Sequence, residues 1–349
     1  MIKTVGVVSL SAGTLGEDFV RHELELGVRR LEHYGLRVKF LPHALEGIDH
    51  LKAHPEERAA DLLEAFRDPE INLILCALGG DDTYRLAPYL FGENQLEKVA
   101  CQKPFLGFSD TTVNHLMLHK AGLCSFYGQA FLPDVCELDK EMLPYTRRYF
   151  EELLRTGTIR QVRPSDVWYE GRADYGPGQL GRPLPAHPAG GWKLLQGPPV
   201  FSGRILGGCL DTLYDFFDGG RYADMPAVCR KYGLFPDAAG WRGRILLLET
   251  SEEKMSPEKF SRALGFLKQA GVFKAVNGVL FGRPMDNVYL EEYHRRLVAA
   301  ADDAALPILA QVSVGHALPR CILPLGVPAR VDAAGQTITF GAPLPEIPC

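Results

Sequence analysis

The first third of the chain alternates between short apolar runs and longer segments in which apolar residues recur every three or four positions. The apolar runs, which are typical of buried strands, are VGVVSL, LRVKFL and the stretches at 71–78, 104–108 and 124–127. The segments between them predict helices at 17–34, 55–66 and 111–121, and another from about residue 83. Buried strands that alternate with helices indicate a parallel sheet with helices on both faces. The sequence therefore predicts an N-terminal α/β domain over residues 1–134.

The regular pattern stops in the segment 135–199. A predicted helix at 140–156 is followed by a stretch dense in glycine and proline that runs through GRADYGPGQLGRPLPAHPAGGW. A loop of this length is uncommon unless it is functional or a linker. It also carries Trp168, Tyr169, Tyr175 and Trp192, which is unusual for a plain linker. We interpret the segment as a linker that includes a substrate loop.

Alternation between strands and helices resumes in residues 200–349. Strands are predicted at 244–248, 278–281 and 308–314, and helices at 257–270 and 290–301. Ser256 followed by Pro257 is a typical helix start. The sequence VPARVDAAGQTITF predicts a terminal hairpin. The fold class is thus α/β, with a second α/β or α+β domain joined to the first by a long Gly/Pro-rich segment.

Composition narrows the class of protein. Hydrophobic residues make up 46% and charged residues 23%, which indicates a globular protein rather than a disordered one or a coiled coil. The net charge is −5 and no basic run occurs, so we expect no nucleic-acid partner. No apolar stretch is long enough to span a membrane or to act as a signal peptide. Eight scattered cysteines, several in apolar runs, indicate a reducing compartment, and we expect a cytoplasmic protein.

Three residue types suited to nucleophilic catalysis each close a predicted strand. Ser109 follows PFLGF, Glu249 ends RILLL, and His316 follows PILAQVSVG. Ligands in open α/β sheets gather at the carboxyl ends of strands. A serine needs a base to remove its proton, histidine titrates near neutrality, and a carboxylate orients the histidine. The alternative is that Ser109 caps a helix, His316 is a satisfied core residue and Glu249 is a surface charge.

The turn Gly79-Gly80-Asp81-Asp82 also follows a buried strand and precedes a helix. Two glycines let backbone N–H groups face a ligand at a helix start. The N–H groups of Gly80 and of Asp110, the residue after Ser109, are therefore candidate oxyanion donors. The alternative is a plain tight turn with Asp82 as the helix cap.

Two further motifs have the letters of a cofactor site and of a metal site, but their context is wrong for either, so we expect no cofactor and no metal. Gly176-x-Gly178-x-x-Gly181 has the letters of a dinucleotide fingerprint but contains a proline and follows no strand. His115 and His119 lie four residues apart, but the segment between them lacks the glutamate of a zinc-protease helix, so we interpret both as packing or surface residues.

The chain resembles the LD-carboxypeptidase and microcin C immunity family of serine peptidases. The resemblance rests on VGVVSLSAG, LGGDDTYRLAPYL, FLGFSDTTVNHLML, GRILGGCLDTL, ILLLETSEE, GVLFGRP and VSVGHALPRCILPLGVPARVD, which occur in family order over nearly the whole chain. It implies that Ser109 is the nucleophile, Glu249 the acid and His316 the base of a triad, with Gly80 as an oxyanion donor. It also implies a cytoplasmic homodimer without a cofactor.

The resemblance implies one of two substrate classes. One branch removes terminal D-alanine from murein tetrapeptides, and the other cleaves the amide or phosphoramide link between a peptidyl aspartate and an adenylate. The long segment ending in Gly191-Trp192 resembles the second branch, so Trp192 is expected to stack on the substrate from a flexible loop, with Asp81 as a second substrate contact. The alternative for Trp192 is burial between the two domains. Asp81 and Asp82 replace the glycine or asparagine more usual in the family. A non-catalytic peptide or nucleotide binder on the same fold is the alternative of another class.

Overall fold

The structure is a computed structural model, and it describes residues 2–341. Its first sheet is built from the apolar runs of the N-terminal third. Its first five strands run parallel: β1 (Thr4–Val8), β2 (Arg37–Phe40), β3 (Leu73–Cys76), β4 (Phe105–Gly107) and β5 (Ser125–Tyr127). In space they follow the order β5-β4-β3-β1-β2. Strands β1 and β3 are buried along their full length, as their uninterrupted apolar sequences predict.

Helices separate these strands and cover the sheet. They are α1 (Arg21–His33), α2 (Ile48–Ala53), α3 (Pro55–Arg67), α4 (Ala87–Phe91), α5 (Gln95–Val99) and α6 (Thr112–Lys120). The helix predicted from about residue 83 begins as a tight turn, Thr83–Leu86, before α4. The parallel α/β architecture predicted for this region is confirmed.

The remaining strands lie between residues 161 and 340, and two of them, β7 and β8, pair only with each other in a short hairpin. They are β6 (Gln161–Val162), β7 (Val167–Tyr169), β8 (Ala186–Pro188), β9 (Lys193–Gln196), β10 (Val200–Cys209), β11 (Arg244–Glu249), β12 (Gly278–Gly282), β13 (Ile308–Val312), β14 (Leu323–Leu325), β15 (Pro328–Asp332) and β16 (Thr337–Phe340). Eight of them form a second sheet in the order β6-β16-β15-β10-β11-β12-β13-β9. Its centre, β10 to β13, is parallel, and its outer strands are antiparallel.

Helices pack on this second sheet as well, and one helix lies in the connecting segment. They are α7 (Pro144–Thr156), α8 (Leu210–Asp218), α9 (Met225–Lys231), α10 (Ala238–Trp241), α11 (Pro257–Gln269), α12 (Val272–Ala275) and α13 (Leu290–Ala301). Ser256 Oγ accepts a hydrogen bond from the Lys259 N–H, 3.2 Å away, which is the helix cap expected from the sequence. The predicted C-terminal hairpin is present as β15 and β16.

Two parts of the chain join the sheets. After β13 the chain leaves the second sheet, and β14 pairs antiparallel with β5 of the first sheet. The chain therefore crosses between the sheets in the segment that contains residue 316. The segment 135–199, in which the sequence pattern is irregular, supplies both edge strands of the second sheet, β6 and β9. It is therefore an ordered part of the fold.

Apolar residues from both halves of the chain share the same cores. One buried cluster contains Leu62 and Leu116 together with Leu213 and Leu264, and another contains Leu106 together with Leu247. Strands β4 and β11 thus contribute side chains to one buried cluster that both halves of the chain share. Within residues 2–341, no helix is long and apolar enough to cross a membrane.

Candidate active site

Ser109 lies on the sharp turn between β4 and α6. Its φ is +66°, a left-handed conformation that a residue with a side chain adopts only under constraint. The hydroxyl of Thr112 donates to the Ser109 carbonyl at 2.7 Å and helps to hold the turn. Such a strained strand-to-helix turn presents the serine hydroxyl outward, as in a nucleophile elbow.

His316 connects Ser109 to Glu249. Its Nε2 lies 3.0 Å from Ser109 Oγ, and its Nδ1 lies 2.7 Å from Glu249 Oε2. The same Glu249 oxygen accepts a hydrogen bond from the His316 N–H at 3.1 Å. A carboxylate at Nδ1 holds the proton there, so that the Nε2 of a neutral imidazole faces the serine hydroxyl. The structure thus brings together the three strand-end residues singled out in the sequence.

Tyr127 is a fourth member of this hydrogen-bonded group, and the sequence argument missed it. Its hydroxyl donates to Glu249 Oε1 at 2.6 Å and accepts from the Ser109 N–H at 3.3 Å. Burial raises the pKa of the Tyr127 hydroxyl well above its usual value, and the adjacent Glu249 carboxylate acts in the same direction. Glu249 is fully buried, so the two donors Tyr127 and His316 satisfy an otherwise costly buried carboxylate.

A second carboxylate also contacts His316. Glu252 Oε2 lies 3.1 Å from His316 Nε2, the nitrogen that faces Ser109, although the Glu252 side chain is 64% exposed. Burial lowers the pKa of His316, but the two glutamates outweigh it and the net shift is upward. The hydrogen bond to His316 lowers the pKa of Glu252. Sequence reasoning passed over Glu252; its only signal is its place three residues after Glu249.

The glycine turn lies directly against Ser109. A Cβ on Gly79 would stand 2.8 Å from Ser109 Oγ and 3.2 Å from the Asp110 nitrogen, so only glycine fits there. Gly80 has a φ of +151°, and it lines the same cavity as Ser109 and His316. The Gly80 turn and the Ser109-Asp110 turn are thus close neighbours, and the N–H groups of Gly80 and Asp110 remain the candidate oxyanion donors.

The Asp110 side chain fastens the surrounding loops. Its Oδ2 accepts hydrogen bonds from Ser11 Oγ at 2.6 Å and from the Thr83 N–H at 2.9 Å. Burial raises the pKa of Asp110 to about 6, although these hydrogen bonds oppose the shift. The loop after β1, the glycine turn and the Ser109 turn are thus tied at one carboxylate.

The two aspartates after the glycines differ in environment. Asp82 is buried and accepts from Arg58, with Nη1 to Oδ1 at 2.6 Å, and Arg58 is itself fully buried. Its charge is therefore compensated. Asp81 is exposed, interacts with the Tyr222 hydroxyl and does not line the cavity at Ser109. Asp81 thus lies outside the wall of this cavity, and its contact with a substrate stays a prediction.

A cavity at Ser109 adjoins a second, larger cavity. The first has a volume of about 320 Å³ and includes Gly80, Ser109, Glu252, His316 and Arg320 in its wall. The second, of about 840 Å³, is lined mainly by α1 and the turns before it, with Phe19 in its wall. The walls of both contain Leu78, Pro133 and Tyr175. The second cavity thus extends the space next to the hydroxyl.

Trp192 is not on an exposed loop. Its side chain is 6% exposed and packs in the core with residues of the second sheet. The backbone N–H of Trp192 donates to Gln336 Oε1 at 2.7 Å. The preceding glycines turn the chain into β9, and pairing of β9 with β13 draws the ring inward. The prediction of a substrate-stacking loop tryptophan is therefore wrong.

Tyr175, from the same Gly/Pro-rich stretch, has the position expected of Trp192. Its side chain is 53% exposed, and it lines both cavities. The Tyr175 carbonyl is 2.8 Å from His22 Nε2, which fastens this stretch to α1. The sequence signal was present, because Tyr175 is one of the aromatics that make the segment unusual.

Cys209 adds a thiol beside the group. The metal-ligating atoms of Cys209, Glu249 and His316 lie within 4.8 Å of one another. However, both Glu249 oxygens already accept hydrogen bonds, and burial raises the pKa of the Cys209 thiol well above its usual value. Tyr127, Glu249 and His316 are thus already joined by hydrogen bonds that leave no free carboxylate oxygen for a cation, and we assign no metal to these residues.

Comparison with known proteins agrees with this architecture. Models of the LD-carboxypeptidase N-terminal and C-terminal domains, peptidase family S66, match residues 5–128 and 202–331. The crystal structure of an MccF-like protein from Streptococcus pneumoniae in complex with AMP is 57% identical, covers 98% of this chain and 99% of that one, and superposes with a TM-score of 0.97.

Two curated relatives represent different activities. The microcin C7 self-immunity protein MccF of Escherichia coli is 26% identical over 293 residues, which cover 82% of this chain and 78% of that protein. The murein tetrapeptide carboxypeptidase of Pseudomonas aeruginosa is 33% identical over 106 residues, 30% of this chain and 34% of that protein. From the matched domains and the shared fold, this chain belongs to the LD-carboxypeptidase family of peptidases, family S66.

Proposed function

We propose that the protein is a serine hydrolase that cleaves the amide between an aminoacyl or peptidyl group and a nucleotide-like leaving group. The observation that carries the proposal is the contact of His316 with both Ser109 and Glu249. A hydroxyl, an imidazole and a carboxylate in this order are the parts needed for acyl transfer through a covalent intermediate.

Each residue has a defined task in the proposed reaction. His316 Nε2 takes the Ser109 proton while Oγ bonds to the scissile carbonyl carbon, and Glu249 stabilises the imidazolium. The N–H groups of Gly80 and Asp110 stabilise the oxyanion that forms. The C–N bond then breaks, and His316 gives its proton to the leaving nitrogen. Water, activated by His316, hydrolyses the Ser109 ester and restores the enzyme.

The two cavities fit a substrate with a reacting end and a bulky leaving group. The acyl group occupies the 320 Å³ cavity at Ser109, and the nucleoside extends into the 840 Å³ cavity past Tyr175. An exposed aromatic side chain at the junction offers a flat surface for a nucleobase. The AMP held by the 57% identical pneumococcal protein and the microcin immunity of the E. coli relative support this substrate class.

Murein tetrapeptide cleavage is the second candidate, and the Pseudomonas relative favours it. Mass spectrometry of products separates the two after incubation with aspartyl sulfamoyl adenosine and, separately, with a murein tetrapeptide. We expect aspartate and sulfamoyl adenosine from the first and no D-alanine from the second. Release of D-alanine alone would reverse the assignment, and no product from either would favour a non-catalytic binder. The cytoplasmic homodimer implied by the family resemblance stays a prediction.

A further inference from the structure

Glu252 presents an unusual electrostatic situation beside the nucleophile. Its carboxylate lies 3.1 Å from the nitrogen of His316 that lies 3.0 Å from Ser109 Oγ. Two acceptors thus compete for one N–H of the imidazolium. When His316 is neutral and ready to take the Ser109 proton, its Nε2 carries a lone pair instead. A carboxylate facing that lone pair is repelled, so the reactive state requires Glu252 to move or to gain another cation.

Among the described residues 2–341, the cavity wall holds no cation that is free to form an ion pair with Glu252, although the charge of Arg320 helps to lower the pKa of Glu252. Arg320, the other cationic residue of the cavity wall, is buried and donates to Asp134 and to the carbonyls of Gly315 and His316. Lys254, two residues along the chain, pairs with Asp286 at 2.7 Å. Within residues 2–341, His316 is the side chain that pairs with Glu252, and the glutamate is otherwise open to solvent. Water can solvate the exposed carboxylate, but a second cation to pair with it would have to come with the substrate.

The position of Glu252 defines which part of the substrate can supply the cation. During attack the scissile carbonyl carbon lies about 3 Å from Ser109 Oγ. On the leaving-group side of that carbon, the linker to the nucleoside is anionic or neutral and carries no ammonium. On the acyl side, the α-nitrogen of an amino acid is separated from the carbonyl carbon by one carbon. A free α-ammonium can therefore reach Glu252.

We propose that Glu252 is a specificity-determining residue that selects aminoacyl substrates with a free α-ammonium over those without one. This inference rests on the proposed function and names its substrate class more narrowly. The ammonium pairs with Glu252, draws the carboxylate from Nε2 and leaves His316 free to accept the Ser109 proton. A peptidyl substrate, whose α-nitrogen is acylated and neutral, gains no such contact.

The test compares ligands that differ only in that nitrogen. Equilibrium binding of aspartyl sulfamoyl adenosine and of its desamino analogue is measured on the Ser109→Ala protein and on Ser109→Ala combined with Glu252→Gln. We expect Ser109→Ala to bind aspartyl sulfamoyl adenosine about tenfold more tightly than the desamino analogue. The factor is modest because the ion pair with Glu252 is partly exposed to solvent. In the double variant the preference should fall to within about twofold. The N-methyl ligand, which keeps its charge, should behave like the parent, and the N-acetyl ligand like the desamino analogue.

Glu253→Gln, in place of Glu252→Gln, is the matched control. Glu253 pairs with Arg221 at 2.7 Å, so its loss should leave the preference intact. A preference that survives Glu252→Gln, or equal binding of the two ligands by Ser109→Ala, would overturn the inference. Because binding is measured without turnover, these outcomes are independent of whether the wild-type protein hydrolyses the ligand. Failure of wild-type hydrolysis would instead refute the proposed function.

Discussion

Ser109 and His316 stand 207 residues apart in sequence, yet Oγ and Nε2 are separated by 3.0 Å at the boundary between the two sheets. The serine lies on the turn after β4, and the histidine lies where the chain leaves β13 to pair β14 with β5. That crossing fixes the histidine loop against the first sheet. The contact therefore depends on the packing of both halves of the chain.

Tyr127→Phe tests the support of the buried acid. Removing the hydroxyl deprives Glu249 Oε1 of its 2.6 Å donor and leaves a buried carboxylate oxygen without a partner. We expect the free energy of unfolding to fall by about 1–3 kcal/mol and kcat to fall with it, as the acid orients His316 less well. The control is Tyr149→Phe, which should leave kcat unchanged. It also removes a buried tyrosine hydroxyl, but one that accepts a hydrogen bond from the Arg163 N–H and does not contact Glu249. Unchanged stability and kcat in Tyr127→Phe would contradict this role.

The pH profile tests the two glutamates at His316. The general base must be deprotonated, and the carboxylates of Glu249 and Glu252 raise the His316 pKa despite burial. Removing one carboxylate by Glu252→Gln must lower that pKa. The acidic limb of kcat/KM, which reports the free enzyme, should then move to lower pH. Glu253→Gln should leave the limb in place, and an unmoved limb in Glu252→Gln would show that Glu252 does not act on His316 in solution.

Trp192 and Tyr175 should respond to substitution in opposite ways. Trp192→Ala removes a core side chain, and we expect it to cost about 3–5 kcal/mol of stability with KM unchanged in the folded fraction. Trp192→Phe should be milder, because the buried indole Nε1 has no partner within residues 2–341.

Tyr175→Ala should raise KM for a nucleotide substrate about tenfold, as the loss of one stacking contact implies, and leave the melting temperature unchanged. Tyr175→Phe, which keeps the ring, should retain the wild-type KM. A KM effect in Trp192→Ala but not in Tyr175→Ala would restore the interpretation based on sequence alone.

The parts of the fold that were predictable from sequence are those with strong local patterns. Strands β1 and β3 are uninterrupted apolar runs, and α13 has the bounds predicted from its periodicity. The edge strands β6 and β9 contain only two and four residues within the irregular segment 135–199, and their pairing with β16 and β13 cannot be inferred locally.

The candidate site divides in the same way. The rule that polar groups gather at strand ends located Ser109, Glu249 and His316, because each residue directly follows or ends an apolar run. Tyr127 was missed because its importance depends on Glu249, which is 122 residues away in sequence. Trp192 was misplaced for a related reason: the inward direction of its ring is set by the register of β9 on β13.

The rate of product release by Ser109→Ala tests the central claim most directly. Formation of aspartate and sulfamoyl adenosine from aspartyl sulfamoyl adenosine is measured for the wild-type and Ser109→Ala proteins, with melting temperatures recorded alongside. We predict a loss of at least about a thousandfold in kcat for the variant, with the melting temperature unchanged, because alanine keeps the Cβ that the turn already accommodates. A well-folded Ser109→Ala protein that retained most of the wild-type rate would contradict the assignment of Ser109, His316 and Glu249 as the catalytic group.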